Sequence, residues 1–125
     1  MTVVDTSAWI EWLVDGPAGS EIGRRMPERS RVIVPTLVQL ELAKWLRREK
    51  GEEAADEVLA FTQKCVVVPL DTRIAISAAD LCRKHGLATA DAIIYATAVE
   101  TGAGLMTCDA HFETLPNVDY VRKNG

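Results

Sequence analysis

The hydrophobic positions fall into two alternating patterns, short unbroken apolar runs and longer stretches with helical spacing. The first pattern occurs at Val3-Val4, 31–34, 65–68, 104–107 and 118–121. Runs this short, rich in β-branched residues and bounded by turn residues, read as buried strands. The second pattern fills the gaps between them. Helices are predicted from Ser7 to about Val14, 18–26, Pro35 to about Lys50, 52–64, Thr72 to His85 and 90–101, with a short turn at 110–113. In the first helix Trp9, Ile10, Leu13 and Val14 form the apolar arc, which Trp12 widens. Ser7, Asp71 or Thr72, and Thr89 are the expected caps, and Pro35 suits a first helical residue. Gly51, Gly86 and Gly102 are the expected stops. Apolar strands alternating with helices predict right-handed crossovers and a mostly parallel sheet covered on both faces. The chain has no internal repeat, no low-complexity segment and no long linker, so one domain over residues 1–125 is expected.

The polar residues that interrupt this pattern carry the chemistry. Val3-Val4 runs directly into Asp5-Thr6-Ser7, and Leu105-Met106 into Thr107-Cys108-Asp109. Asp5 therefore stands at the carboxyl end of the first strand, where open α/β sheets bind ligands. If the two strands are neighbours, Asp5 and Asp109 face each other across one crevice. Each also suits the simpler role of an acid at a helix or turn start. Glu41 falls between Leu37 and Trp45 on the edge of an apolar helix face. It is either aimed into the crevice or paired with Lys44 three residues on. Asp91 lies two residues past Thr89 on a helix that is apolar almost all round (Ala92, Ile93, Ile94, Tyr95, Ala96, Ala98, Val99). Such a helix is expected to be buried, with its amino end emerging beside the sheet. There Asp91 either joins the other acids or complements the helix dipole.

Four carboxylates in one crevice repel, and they persist together only if cations neutralise them or some hold protons. A donor set of oxygens alone, without Cys or His, selects Mg²⁺ or Mn²⁺ over zinc. One or two such ions suit phosphodiester hydrolysis. Ser7 and Thr107 are candidates for positioning water or substrate. His85 precedes a helix-ending glycine and reads as a C-terminal cap, and His111 as a turn residue near Asp109.

Net charge is −4, from 14 basic and 18 acidic residues. That argues against coating nucleic acid by bulk electrostatics. Four clustered acids would account for the whole excess, and a bound cation would offset it locally. No apolar run approaches the roughly 18 residues that a membrane helix needs, and no signal-peptide pattern is expected at the start. The three cysteines, Cys65, Cys82 and Cys108, are far apart and form no C-x-x-C pair, so neither zinc nor a disulfide framework is suggested. A cytoplasmic setting is expected. No phosphate-binding glycine loop and no G-x-S-x-G is present, which leaves nucleotide binding and serine hydrolase chemistry without support.

Four segments, in their order and spacing, resemble the PIN-domain ribonucleases, most closely the VapC-type toxins of toxin–antitoxin pairs. They are Val3-Val4-Asp5-Thr6-Ser7, Val38-Gln39-Leu40-Glu41-Leu42, the run from Gly86 through Asp91 to Ala98, and Leu105 to Phe112. The resemblance implies a three-layer α/β/α sandwich with a parallel sheet of about five strands. It implies that Asp5, Glu41, Asp91 and Asp109 are the metal-site carboxylates, holding Mg²⁺ or Mn²⁺ for RNA cleavage, and that Ser7 and Thr107 match small hydroxyl positions. It also implies a small antitoxin partner and dimers, with the first helix (Trp9, Trp12) as a candidate docking surface, although Trp9 suits core packing better. Two readings stand beside the toxin: a PIN-type RNA-processing nuclease outside a toxin system, and a non-catalytic, metal-stabilised partner-binding protein. A phosphohydrolase with Asp5 as covalent nucleophile fits less well. Ser7 stands where haloacid-dehalogenase-like folds want a second Asp, and no later strand clearly ends in the Lys of receiver folds.

Overall fold

A computed structural model describes residues 1–123. Five strands form one sheet: β1 (Thr2–Val4), β2 (Val32–Pro35), β3 (Val66–Val68), β4 (Gly104–Thr107) and β5 (Val118–Tyr120). Their order is β3-β2-β1-β4-β5 and every pairing is parallel. Parallel neighbours need crossovers, and six helices are available to make them. Helices α1 (Thr6–Leu13) and α2 (Gly19–Arg25) lead from β1 to β2, and α3 (Thr36–Glu49) and α4 (Glu52–Gln63) lead to β3. Helices α5 (Thr72–His85) and α6 (Thr89–Thr101) carry the chain back across the sheet to β4. A 3₁₀ turn, Ala110–Phe112, precedes β5.

Val3 and Val4 point to opposite faces of the central strand, and both are fully buried. Both faces are therefore covered, giving the expected α/β/α layering. The sheet order also determines where a ligand can sit. The chain moves outward from β1 through β2 to β3, then returns to the other side of β1 as β4. The carboxyl ends of β1 and β4 are thus a topological switch point, where open α/β sheets leave a crevice. Val3 is in register with Leu105 and Val4 with Met106, and the Asp5 N–H donates to the Met106 carbonyl at 2.9 Å. Asp5 and the end of β4 are thereby locked side by side.

Several local expectations differ from the structure. Helix α1 starts at Thr6 with Asp5 in the cap position, so Ser7 lies inside the first turn and caps nothing. Ala88, not Thr89, occupies the cap position of α6. Pro35 closes β2 and caps α3 with extended geometry instead of being its first helical residue. Asp71 caps α5, its Oδ1 accepting from Ile74 N at 2.9 Å. The 65–68 run is an edge strand with Val66 exposed, because β3 has a neighbour on one side only. Leu13 and Val14 are exposed at the carboxyl end of α1, and Val99 is exposed on α6, whose middle is mostly buried. Gly86 (φ 66°) and Gly102 (φ 67°) adopt the left-handed conformation that ends α5 and α6 at little steric cost.

Candidate active site

Asp5 directly follows β1 and Asp109 lies two residues past the end of β4, so the two neighbouring strands deliver both acids to the same crevice. Two hydroxyls join them. The Asp5 Oδ2 accepts from Ser7 Oγ at 2.8 Å and from Thr107 Oγ1 at 2.8 Å. Thr107 Oγ1 in turn accepts from the Asp109 N–H at 2.9 Å, and Ser7 Oγ accepts from the Cys108 N–H at 3.0 Å. Thr107 is fully buried and Asp5 is 4% exposed. A single connected network therefore sets both acids against the backbone of β4.

Burial dominates the electrostatics of Asp5. It pushes the carboxyl up from its usual 3.8 to about 6, although the hydrogen bonds from Thr107, Ser7 and the Thr6 backbone oppose the shift. The nearby charge of Asp109 adds to the rise. Asp91 enters from the first turn of α6. Burial first and the Asp109 charge second push its carboxyl up, against the opposing influence of His111. His111 Nδ1 lies 3.2 Å from Asp109 Oδ1 and 3.4 Å from Asp91 Oδ2. Ligand atoms of Asp91, Asp109 and His111 all fall within 4.8 Å of one another.

Glu41 arrives from mid-α3, where Thr6 Oγ1 donates to its Oε1 at 2.6 Å. Thr6 follows Asp5 directly, so this bond fixes Glu41 at the edge of the crevice. The pair with Lys44 does not form among the described residues. The structure thus brings Asp5, Asp91 and Asp109 into electrostatic contact, and Glu41 adjoins them through α1. Asp5 and Glu41 stand outside the tighter Asp91–Asp109–His111 group. No Lys or Arg forms an ion pair with any of the four acids among the described residues. Among the described residues the imidazole of His111 is the one basic side chain within ion-pair distance of them. The crowded carboxylate oxygens, two of them pushed toward protonation, fit a divalent cation, and with the His111 imidazole beside Asp91 and Asp109 the donors in reach are not the oxygens alone that the sequence suggests.

Two clefts open beside the acids. One, of about 330 Å³, is lined by Ser7, Asp109, Tyr120, Arg122 and Lys123. The other, of about 220 Å³, lies between α1 and α3 and includes Thr6, Glu41, Lys44 and Arg48. Cations therefore flank the acid group on two sides. Outside the two clefts, Arg24 pairs with Glu21, Arg25 with Glu21 and Asp119, and Arg47 with Glu52 in an exposed contact at 3.3 Å. Cys108 is buried and its thiol is pushed up to about 11, so thiolate chemistry has no part here. His85 sits edge-on to Tyr95 at 6.2 Å, away from the acids. Sequence reasoning placed His111 near Asp109 but missed its closeness to Asp91, and it missed Thr6 as the anchor of Glu41. It also missed Glu11, 7% exposed, whose carboxylate accepts from Ala18 N at 3.2 Å in the turn before α2. Spacing alone signals none of these, because each partner is distant in sequence or lies in a loop.

The sequence matches the PIN domain family over residues 2–118. The chain belongs to the PIN domain family. Among solved structures, this PIN domain is similar to a toxin–antitoxin complex from Klebsiella pneumoniae, with 19% identity, 95% and 96% of the two chains covered and a TM-score of 0.81. It is similar to VapC20 of Mycobacterium tuberculosis, described as a sarcin-ricin-loop-cleaving toxin, with 19% identity, 97% and 99% coverage and a TM-score of 0.79. It is also similar to VapBC2 of Rickettsia felis bound to a promoter DNA fragment, with 15% identity, 96% and 98% coverage and a TM-score of 0.74. At these identities the likeness establishes the fold. No curated protein sequence matches the chain. No helix among the described residues is long and apolar enough to cross a membrane.

The hydroxyl network of this PIN domain predicts a stability effect at Ser7. Ser7→Ala removes one donor to Asp5 and leaves the Cys108 N–H without its acceptor. A loss of about 1–3 kcal/mol is expected, the usual cost of an unpaired buried group. Urea unfolding at pH 7.5 measures it, and an unchanged midpoint would show that the network has no structural weight.

Proposed function

We propose that this PIN-family protein is a Mg²⁺- or Mn²⁺-dependent endoribonuclease and the toxin of a toxin–antitoxin pair. One observation carries the nuclease half. Carboxylates from two strand ends and one helix start converge at the switch point, where burial first and the Asp109 charge after it raise Asp5 and Asp91, and among the described residues no Lys or Arg pairs with them. Family membership and the likeness to toxin–antitoxin structures support the toxin half. The description of VapC20 as an RNA-loop-cleaving toxin supports RNA as substrate.

Asp5, Glu41, Asp91 and Asp109 would hold the cation, which supplies charge neutralisation and Lewis acidity for phosphodiester hydrolysis. The protein's own part is positioning. Ser7 and Thr107 hold the Asp5 carboxylate by the same oxygen and so fix its rotation. Thr6 fixes Glu41, and the Asp109 Oδ1 accepts from the His111 N–H at 2.9 Å. The acids are thus arranged before a substrate arrives, as electrostatic stabilisation requires. Lys44 and Arg48 on one side, Arg122 and Lys123 on the other, offer contacts for the phosphates that flank the cut.

The test has two arms. Purified protein is mixed with a total RNA pool in Mg²⁺ or EDTA, and fragment ends are sequenced. Discrete cuts that need Mg²⁺ or Mn²⁺ are expected, and undiminished cutting in EDTA overturns the metal mechanism. Expression alone should arrest growth, and co-expression of the antitoxin gene should relieve the arrest. Normal growth with abundant soluble wild-type protein sinks the toxin reading and leaves the RNA-processing nuclease.

A further inference from the structure

The three tryptophans are used differently. Trp9 is fully buried, and Trp12 packs against Trp9 at 5.9 Å and against Phe61 at 6.2 Å. Trp45 has no aromatic partner among the described residues and is only half-buried. Its ring lines the cleft of about 220 Å³ between α1 and α3, together with Thr6, Ile10, Glu41, Lys44 and Arg48. The four α3 residues are spaced three and four apart, so they share one helix face. The buried face of α3, Val38, Leu42 and Leu46, lies against the core, and Trp45 packs against the edge of that core while remaining partly exposed in the cleft.

Three features of the cleft select its occupant. It shares Glu41 and Thr6 with the acid group, so anything seated in it is continuous with the reaction centre. It carries two cations, Lys44 and Arg48. Lys44 forms no ion pair among the described residues, and the Arg48 contact with its exposed neighbour Glu49, at 3.3 Å, contributes little. It is too small for a helix, which is about 10 Å across. A flat aromatic face, an aliphatic wall and cations together match the way unpaired bases are held on proteins.

We propose that the cleft between α1 and α3 is a subsite for one unpaired RNA base beside the scissile phosphate, with Trp45 as the stacking face and Lys44 and Arg48 holding the adjoining phosphate. This rests on the nuclease reading above. Stacking tolerates any base, so the subsite selects unpaired RNA over duplex and tunes base preference only through ring size. Lys44 and Arg48 add affinity without sequence preference.

Steady-state cleavage of a single-stranded RNA by the Mg²⁺-loaded enzyme tests this, using wild type, Trp45→Leu, Trp45→Phe and Arg48→Gln. Trp45→Leu should raise KM roughly tenfold or more with kcat within about twofold, and Trp45→Phe should recover most of the loss. An RNA with a single abasic position, moved along the chain, should lose affinity for wild type at one position next to the cut. At that position Trp45→Leu should add nothing further, since both changes remove the same contact. Arg48→Gln should weaken all sequences alike and flatten the salt dependence. The phenylalanine variant and the abasic substrates keep the test independent of any packing loss in Trp45→Leu. If wild type cuts and Trp45→Leu matches its KM, with no abasic position sensitive, the subsite is overturned while the nuclease stands. If Trp45→Leu cuts normally but binds the antitoxin more weakly, the cleft belongs to the protein partner and the RNA subsite is again overturned. If wild type cuts no RNA, the nuclease reading fails and takes the subsite with it.

Discussion

Asp91→Asn is expected to remove RNA cleavage and growth arrest together while leaving the fold intact. Asp91 reaches the crevice from the first turn of α6, a helix whose next residues are buried, so its backbone position is firmly held. Asn preserves size and can remain at this helix start. What it removes is a full negative charge from a group whose ligand atoms lie within 4.8 Å of those of Asp109 and His111. A cation bound there loses a ligand, and with it several kcal/mol of stabilisation of developing charge. At about 1.4 kcal/mol per factor of ten, the loss in kcat/KM is on the order of a thousandfold. Stability should move the other way. Burial and the Asp109 charge both disfavour ionised Asp91, so neutralising it relieves a native-state cost. A variant that is inactive and melts no lower than wild type in EDTA satisfies both halves. A variant that still cuts within about tenfold of wild type would take Asp91 out of the reaction centre, and the three-acid geometry would then need another explanation.

The strand–helix alternation was legible because each strand here is a dense apolar run bounded by a turn. Val3-Val4 and Leu105-Met106 gave both the strands and the acids that follow them. Their adjacency was not legible. Sequence order gives β1 and β4 no reason to pair, and only the three-dimensional structure shows β1 with β2 along one edge and β4 along the other. The same limit explains the hydroxyls. Ser7 followed an apolar run and preceded a helix, which is the usual context of a cap, but its Oγ turns back to Asp5 and Cys108 N across the strand pair. Thr6 looked like mere helix start, and its bond to Glu41 spans 35 positions. Long-range polar contacts leave no periodic trace, so the acids could be read and most of what orients them could not. His111 shows both sides of this. It is the surface turn histidine that the sequence suggests, three-quarters exposed (75%), and the 3₁₀ turn capped by Asp109 also brings its ring beside Asp91, which spacing does not signal.

Asp5→Asn should raise the melting temperature in EDTA at pH 8, and the gain should fade as the solution is acidified. The native Asp5 carboxyl is raised to about 6 from 3.8, which corresponds to about 3 kcal/mol by the usual conversion. The sign follows from linkage. An acid with a raised native pKa is better protonated in the folded state than in the unfolded one. Its favourable contribution is complete below pH 3.8 and is lost as the pH rises through 6. At pH 8 the wild type therefore carries the full cost of a buried anion, and the variant does not. Asn keeps one oxygen to accept from Ser7 and Thr107, yet its amide nitrogen cannot accept from the Thr6 N–H, which offsets part of the gain. A net rise of about 5 °C is expected at pH 8, from about 1–2 kcal/mol in a chain of this size. Most of it should be gone by pH 4.5. Millimolar Mg²⁺ should reverse the order at pH 8. Wild type gains about 2.7 kcal/mol when the ion is at a hundred times its dissociation constant, and the variant, short of one charge, gains less. The exposed Glu28, outside the acid group, supplies the control: Glu28→Gln should respond to neither pH nor metal differently from wild type. Melts of the three proteins at two pH values, with EDTA or Mg²⁺, give the answer directly. If Asp5→Asn melts at or below wild type in EDTA at pH 8, and Mg²⁺ leaves wild type unmoved, the buried carboxylate is a structural hydrogen-bond acceptor and the cation site lies elsewhere.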